Sequence, residues 1–553
     1  MAKTEKTVRE LVEEVENNQI RLPEMQRGYV WKSTQVRDLI DSLYRKYPAG
    51  NILMWETSNA SEVPTRDFAV EQNKMEHSYY SLLLDGQQRI TSLSRLLRGN
   101  SVQVRDSRRE IDILFNLDHP DKIYELSPEY ENDVEDGEED TQTEDSLNFQ
   151  KQTFIVATNK VKNDPKWVSV RDVFKSSGNT EFLRRAGITS LDDPMYSKYD
   201  TRLTNLRNIK EYPFNVITLD RNMSYEEVTE IFVRVNSAGT RLRGSDLALA
   251  QITAKWRGSL GLFETFRDEC QKKNHSLDIG VIVRSLIVLI TNQSKFNTVS
   301  SISLKDYQDF WEDTKRALSF TLDYVRNTMG IPDLSLLSSP YFIVLLAHFF
   351  HKKDYVITPE TTKEIMQWFI PANAKGRYSR GSSETFLDQD LKAATPAIWL
   401  ENLKAAFGKT DIEEVDLEGK SSNSGFYKNM FIVMSAFGAK DWKTNLGISP
   451  NNLHKKDKIE SHHLFPQDLL KKAGLSKEVI NDIANLAFIG KVTNINISNS
   501  NPMDYLGEYD EAHLRAHCIP MDRSLWSIDR YADFLVARRK LIVDMFKEYL
   551  KKF

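Results

Sequence analysis

The sequence predicts an α+β protein of more than one domain. Three observations carry that expectation. The chain has 553 residues, more than a single hydrophobic core organises, so two or three domains follow. Its N-terminal part alternates apolar strand-like runs with amphipathic helical patterns, as a mixed α/β domain does. From about residue 245 to 430 the pattern is mostly helical, with few strand signals and no fixed-period repeat.

Composition narrows the class. Forty per cent hydrophobic and 28% charged residues describe a soluble globular protein. No apolar stretch approaches the ~18 residues of a membrane helix. The longest clean run, "YFIVLLAHFF" at 341–350, reads as a buried helix. The N-terminal "MAKTEKTVRE" has no apolar signal region, so a cytoplasmic location is expected. Cys270 and Cys518 are the two cysteines, and no C-x-x-C occurs, which excludes a disulfide framework and a cysteine zinc site. The net charge of −5 is distorted by residues 131–145, "ENDVEDGEEDTQTED", which carry nine acids and no base; the remainder is at +4. The overall sign is therefore a poor guide to any DNA-facing surface. The acidic run reads as a solvated loop that cannot bury apolar surface, with a DNA-mimicking autoinhibitory loop as the alternative.

Each element follows from local pattern. "TVRELVEEV" places Val8, Leu11, Val12 and Val15 at helical spacing. "QIRLPEMQRGYVW" reads as extended chain broken by Pro23. In "YYSLLLDGQQRITSLSRLL" an apolar strand, Leu82 to Leu84, runs into Asp85-Gly86, and a helix follows with Ile90, Leu93 and Leu97 on one face. A second strand, "FNVITLD", precedes "MSYEEVTEIFVRVNSAGTRL". There Ser224 and Glu227 form a capping-box pattern, Val228, Ile231, Phe232 and Val235 form the buried stripe, and Asn236 to Gly239 reads as a C-terminal cap and loop. The last ~120 residues open on the helix "FYKNMFIVMSAFGAKDW". They continue through a histidine pair and two Asn-rich loops to a final amphipathic helix, "RYADFLVARRKLIVDMFKEYL". "FGKT" at 407–410 and "EGKS" at 418–421 lack the upstream glycine of a phosphate loop, with Leu403 and Glu414 in its place.

Three polar clusters sit where strands end: "LPEMQRGYVW", "DGQQRITSL" and "FVRVNSAGTRLRGSDL". Strand ends of α/β folds are where ligands bind. Gly86, Gln87 and Gln88 would lie at a helix N-terminus, whose free N–H groups and dipole suit phosphate. Arg27 and Arg89 can clamp phosphates, Asp85 can hold a cation or orient water, and Gln87 and Gln88 can donate to phosphate or position water. Asn236 and the Gly239 backbone would complete the pocket. The same residues fit a structural reading in which Asp85-Gly86 is a turn, Arg89 a salt-bridged helix residue and Asn236 a cap. Spacing leaves both open.

The second constellation is "IESHHLFPQD", Ile459 to Asp468. An HNH-type nuclease needs a histidine to deprotonate water, a metal on the scissile phosphate and an asparagine to hold the loop. Histidine titrates near neutrality without help. Downstream, Asn485 follows a short helical pattern and Asn494 lies nine residues later, with room between them for a loop and the start of a helix. On residues alone, a His pair with scattered asparagines fits ordinary turns as well, and Asn496, Asn499 and Asn501 read as turn residues.

Both constellations resemble one family. Gln26-Arg27-Gly28-Tyr29-Val30-Trp31, Asp85-Gly86-Gln87-Gln88-Arg89 and Arg234-Val235-Asn236-Ser237-Ala238-Gly239 are similar, in order and in their central residues, to segments of the N-terminal domain of GmrSD-type restriction proteins. "GRYSRGSSETFLDQDL" at 376–391 also resembles that family. So do His463-Leu464-Phe465-Pro466, Asn485-Leu486, Thr493 to Asn499, Pro502-Met503-Asp504-Tyr505-Leu506 and the tail "HCIPMDRSLW…FLVARRKLI". The resemblance implies a ParB/sulfiredoxin-like domain over 1–250, with an acidic insertion at about 128–147. It implies a helical linker over 251–430 and a His-Me finger, HNH-like nuclease domain over 431–553. In the first domain it implies nucleoside triphosphate binding by Gln26, Arg27, Tyr29, Gly86, Gln87, Gln88, Thr91, Arg234, Asn236 and Gly239, and hydrolysis through Asp85 and Arg89. In the last it implies His463 as general base, Asn485 as the loop-holding residue, and His462 and Asn494 as ligands of Mg²⁺ or Mn²⁺. Where the family often carries Lys after its final Ile-Ser-Asn, this chain has Ser500; Lys491, Arg538 and Arg539 are the alternatives for phosphate grip.

The expectation is an endonuclease that is NTP-dependent or NTP-regulated and cuts foreign, modified DNA in defence. Its partners would be DNA and nucleoside triphosphate, without a membrane, and a homodimer is compatible with it. Two other classes stay open: a nucleotide-binding switch without turnover, and an HNH-type RNase.

Overall fold

The computed structural model describes the chain except residues 1, 25–28, 30, 58–64, 67, 69, 71, 74–76, 78, 104–109, 121–151, 158–160, 162, 239–243, 380–381, 394–398, 409 and 450–457. The acidic run 131–145 lies outside the described residues, as do Gln26, Arg27 and Gly239; the Asn236 side chain does too. The chain divides into two compact units, Met1–Leu260 and Gly261–Phe553, and its architecture is mixed α and β.

The first unit begins with β1 (Ala2–Thr7) and α1 (Val8–Glu16), whose start is set by a capping box between Thr7 and Glu10. Val8, Leu11, Val12 and Val15 are its buried face, as their spacing requires. There follow β2 (Ile20–Pro23), α2 (Ser33–Tyr44), β3 (Ile52–Thr57), β4 (Thr65–Arg66), β5 (Tyr80–Asp85) and α3 (Gln87–Leu97). Beyond them come β6 (Val102–Gln103), β7 (Glu110–Ile111), β8 (Ile113–Asn116), β9 (Phe154–Val156), β10 (Trp167–Ser169) and β11 (Pro213–Leu219).

The main sheet runs β1-β11-β3-β5-β2-β4. Its β11–β3 and β2–β5 pairs are parallel, and the β1–β11, β3–β5 and β2–β4 pairs antiparallel. Successive strand residues point to opposite faces, so the unbroken apolar runs of β3 and β5 require cover on both. Ile52, Met54 and Leu83 face a core shared with α1, α2 and α3. Leu53, Trp55, Leu82 and Leu84 face a second core with Tyr225, Val228, Phe232, Ala250 and Ala254, from the helices Tyr225–Ala238 and Gly244–Lys255. A three-stranded sheet, β10-β8-β9, packs beside this framework through Phe115, Phe154 and Val168.

Leu97 packs against the same core as Ile90 and Leu93, and Leu96 is fully buried beside it. Two expectations are corrected here. Val235 is 45% exposed, because the helix Tyr225–Ala238 runs past the turn that covers Val228 and Phe232. The backbone is helical through Asn236 to Ala238, so Asn236 is not a cap. The capping box at the helix start is present: Ser224 N–H donates to Glu227 Oε2 and Glu227 N–H to Ser224 Oγ.

In the second unit, residues up to 436 are built of helices. The apolar run at 341–350 lies in the helix Tyr341–Lys352, where every residue from Phe342 to Phe350 is buried. Among the described residues no helix is long and apolar enough to cross a membrane. The stretch 376–391 holds a buried clamp: Arg377 makes two hydrogen bonds to Asp390, at 3.1 and 2.9 Å, and Tyr378 Oη donates to the same carboxylate at 2.6 Å.

After the helix Gly425–Ala436, β12 (Ile459–His463) pairs antiparallel with β13 (Leu486–Gly490), and the helix Lys491–Ile497 follows directly. Between Asn485 and Asn494 a strand, Leu486–Gly490, stands where a loop was expected, and the expected start of a helix follows at Lys491. The first Asn-rich stretch is that helix rather than a loop. A core of Trp442, Leu464, Phe465, Ala487, Ile489, Ile497, Tyr505, Trp526 and Phe534 supports the β-β-α element. The final helix, Tyr531–Leu550, contributes Phe534 and Leu535 to it.

Candidate active site

In the first unit the structure gathers part of the expected nucleotide cluster around the start of α3. Gly86 is in the left-handed region at φ 101°, and a Cβ there would stand 2.5 Å from Ile52 Cδ1, so this turn requires glycine. Gln87 and Gln88 open α3, which has no side-chain cap. Gln88 Oε1 accepts from Trp31 N–H at 3.2 Å, and Tyr29 Oη lies 2.7 Å from Ser92 Oγ, which ties the 29–31 segment to α3. Burial pushes the Tyr29 phenol up to about 12. Thr91 is buried on α3, and its Oγ1 has no hydrogen-bond partner among the described residues. Arg234 is exposed and pairs with Glu230 one turn earlier on its own helix.

Arg89 is engaged within the protein. Its guanidinium donates to Ala49 O at 2.6 Å, to Asn51 O at 2.8 Å and to Asp85 Oδ2 at 3.0 Å. Burial lowers its pKa, and Asp85 opposes that shift. Gly50, at φ +83°, has Arg89 Nη1 within 2.4 Å of where its Cβ would be, so the 49–51 turn wraps the guanidinium closely. Asp85 keeps 43% of its side chain exposed. The strand-to-helix turn thus presents Asp85 outward while Arg89 fastens the adjacent turn.

In the second unit, β12 places His462 opposite Ala487 and His463 opposite Leu486. The two rings have different surroundings, as adjacent strand residues do. His462 is 3% exposed. Its Nδ1 lies 2.8 Å from Asn494 Oδ1, on the helix Lys491–Ile497, and its Nε2 lies 3.1 Å from Tyr505 Oη. Tyr505 Oη also reaches Leu464 O at 2.8 Å, and Trp442 stands edge-on to the imidazole at 5.9 Å. Burial lowers His462 to about 4. His463 is half-buried. Its Nε2 is 2.9 Å from Asn481 Oδ1 and 3.0 Å from Gln467 Nε2, which hold one edge of the ring.

Asn485 is fully buried between the strands. Its Oδ1 accepts from Phe465 N–H at 2.8 Å, and its Nδ2 donates to Phe465 O at 3.1 Å and Ile480 O at 3.0 Å. This amide closes the connection between β12 and β13 onto itself. Asp441, far upstream, accepts from Gly490 N–H at 2.6 Å and Thr493 Oγ1 at 2.8 Å, so it anchors the start of the Asn494 helix. Burial raises its pKa, but hydrogen bonds from Thr444, Gly490 and Thr493 outweigh that and hold it below the usual range.

Arg538 is not available for phosphate grip, contrary to expectation. It is 0% exposed, and its guanidinium donates to Ala484 O, Leu486 O and His517 O. Burial lowers its pKa to about 10. Arg539 pairs with Asp482 at 2.6 Å. Lys491 stands partly exposed at the first position of the Asn494 helix.

His462 and Asn494 are the two side chains here that would take part in holding a divalent cation. Among the described residues no group of three or more His, Cys, Asp or Glu side chains converges on a metal position. His462 and Asn494 would supply two protein donors, with water and phosphate oxygens supplying the rest, as Mg²⁺ accepts. Their 2.8 Å separation is close to the ~3 Å between adjacent donors of an octahedral ion with ~2.1 Å bonds. The other ring nitrogen of His462 already meets a hydroxyl partner, which is the outer support a ligating imidazole needs.

Sequence reasoning overlooked Glu460, whose Oε2 accepts from Asn494 Nδ2 at 2.9 Å, and also Asp441, Gln467 and Asn481. Glu460 was findable: two positions before His462 on a strand, it shares that face.

Comparison with known proteins adds the lineage. Residues 8–253 match the family model described as the N-terminal domain of the GmrSD restriction endonucleases. That span contains all three polar clusters of the first unit. An uncharacterized protein of Methanocaldococcus jannaschii is 24% identical over 544 residues, covering 92% of this chain and 87% of that protein.

Proposed function

From the match of residues 8–253 to the N-terminal domain of the GmrSD restriction endonucleases, we propose that the chain is a member of that family, a defence nuclease that cuts DNA in the cytoplasm. The observation that carries this reading is the β12–β13–helix element, with His462 Nδ1 set 2.8 Å from Asn494 Oδ1 and His463 beside them. In this reading His463 accepts the proton of the attacking water, with Asn481 and Gln467 orienting its ring. Asn485 keeps the β12–β13 connection closed, so His463 stays where the strand leaves it. His462 and Asn494 would hold Mg²⁺ or Mn²⁺, which when bound would neutralise charge on the scissile phosphate and leaving oxygen. Lys491, on the same helix as Asn494, is the candidate cation for phosphate contact.

The first unit binds a nucleoside triphosphate at the start of α3, with Asp85 facing the phosphates and Gln87 and Gln88 offering N–H groups. A second reading makes this unit a nucleotide switch without turnover. The observation in its favour is that Arg89 is already bonded to Ala49 O, Asn51 O and Asp85.

The deciding experiment is cleavage of modified and unmodified plasmid DNA, with RNA in parallel. Reactions run with and without Mg²⁺ or Mn²⁺ and each nucleoside triphosphate, and phosphate release is followed in the same tubes. Metal-dependent DNA cutting that is lost in folded His463→Ala supports the nuclease reading, and unchanged cutting by that variant overturns it. Phosphate release by the wild type but not by Asp85→Asn supports turnover over the switch.

A further inference from the structure

We propose that Glu460 is a positioning residue that fixes the amide of Asn494 so that its oxygen, and not its nitrogen, faces His462. The inference rests on the metal-site reading above and deepens it. An ionised carboxylate has acceptors and no donor. The Asn494 atom 2.9 Å from Glu460 Oε2 must therefore be the NH₂ group, which leaves Oδ1 toward His462 Nδ1. Without Glu460 nothing in this contact favours one orientation. Asn494 could turn its NH₂ toward the imidazole, where it would satisfy the Nδ1 lone pair and block the cation position.

The chain of contacts continues beyond the ring. With Nδ1 protonated, it donates to Asn494 Oδ1, and Nε2 accepts from Tyr505 Oη. With the proton on Nε2, that nitrogen donates to Tyr505 Oη, whose own proton goes to Leu464 O at 2.8 Å. Nδ1 and Oδ1 then present two lone pairs to one place, where a bound cation would relieve their repulsion. Glu460 holds one end of this sequence and the Leu464 carbonyl the other. Both ends are set by β12 and the residue after it.

The test is Mn²⁺ binding to the full chain, measured by the loss of free-ion EPR signal, with no DNA present. Outer partners of metal ligands contribute about 10- to 100-fold in affinity, and Glu460→Ala is expected to lose that much. Glu460→Gln offers an NH₂ group as well as an oxygen, so it no longer fixes the facing amide and is expected to lose affinity as Glu460→Ala does. If Glu460→Gln binds as tightly as the wild type, the acceptor-only carboxylate is not what sets Asn494 and the inference falls. The decisive background is Asn494→Asp, which presents an oxygen to His462 in either orientation. Adding Glu460→Ala to Asn494→Asp should leave Mn²⁺ affinity unchanged or raise it. Equal losses in both backgrounds would make Glu460 merely structural and overturn the proposal. Wild-type binding with no loss in Glu460→Ala overturns this inference alone, whereas absence of Mn²⁺ binding by the wild type overturns the metal site as well.

Discussion

The Nδ1 of His462 and the Oδ1 of Asn494 stand 2.8 Å apart across 32 positions of sequence, one on a strand and the other on the helix that follows its partner strand. His463, the next residue, meets a different set of partners, Asn481 and Gln467. The two histidines are therefore expected to fail differently. His463→Ala should lower DNA cleavage by ~10²–10⁴-fold, the range of a general base, with Mn²⁺ binding retained. His462→Ala should weaken Mn²⁺ binding, and raised Mn²⁺ should partly restore cleavage. Parallel loss of cleavage and melting temperature in both variants would instead make the pair structural.

Asn485 should matter first for stability. Asn485→Ala removes an acceptor from Phe465 N–H and a donor from the carbonyls of Phe465 and Ile480, all within the buried connection. Each buried group left unpaired costs about 1–3 kcal/mol. Asn485→Asp should be no milder, because it faces two carbonyl oxygens with a carboxylate. Chemical denaturation of the two variants checks the ordering. Stability equal to wild type in either would remove the loop-holding role.

Arg89→Ala should destabilise the first unit by about 1–3 kcal/mol, since Ala49 O and Asn51 O lose their donor. A loss of triphosphate hydrolysis in that variant would then not identify a phosphate contact. Asp85→Asn is the cleaner probe, because Asp85 is 43% exposed and the change is nearly isosteric. It should reduce hydrolysis with little change in melting. Full hydrolysis by Asp85→Asn would exclude the carboxylate from the reaction.

Acid should weaken the second unit through buried imidazoles, among them His348 and His517. Burial lowers His348 and His517 to about 4, from an ordinary value of 6.5. The unfolded chain takes up these protons near 6.5 and the folded chain near 4, so the unfolded state binds more protons in between. Their contribution is complete above pH 6.5 and is lost as pH falls toward 4. Melting temperature should decline across that window. In His517→Gln the decline should be shallower than in the wild type, and an unchanged slope would show that His517 is not a source of it.

Much of the framework was readable because it is local. The spacing of Val8, Leu11, Val12 and Val15, the Ser224–Glu227 box and the apolar run of β5 each depend on near neighbours. The β12 strand was harder to see, since Glu460, Ser461, His462 and His463 leave Ile459 as its one apolar residue. Partners drawn from far away were not readable at all. Nothing near Asp441 announces Gly490 or Thr493, and nothing near Arg89 announces the carbonyls of Ala49 and Asn51. Arg538 illustrates the same limit in reverse: its sequence context offered a cation for phosphate, and tertiary packing turned it inward onto three carbonyls.

That inward arginine also orders events in time. The carbonyls of Ala484 and Leu486, on either side of Asn485, depend on a donor more than fifty positions later, in the helix Tyr531–Leu550. A ribosome delivers the N-terminal unit first, and Arg538 only after both strands of this element. Until then the β12–β13 connection lacks the group that satisfies its backbone. A nascent chain that has not yet reached Arg538 would thus carry its first unit ahead of a β12–β13 connection that is still slack.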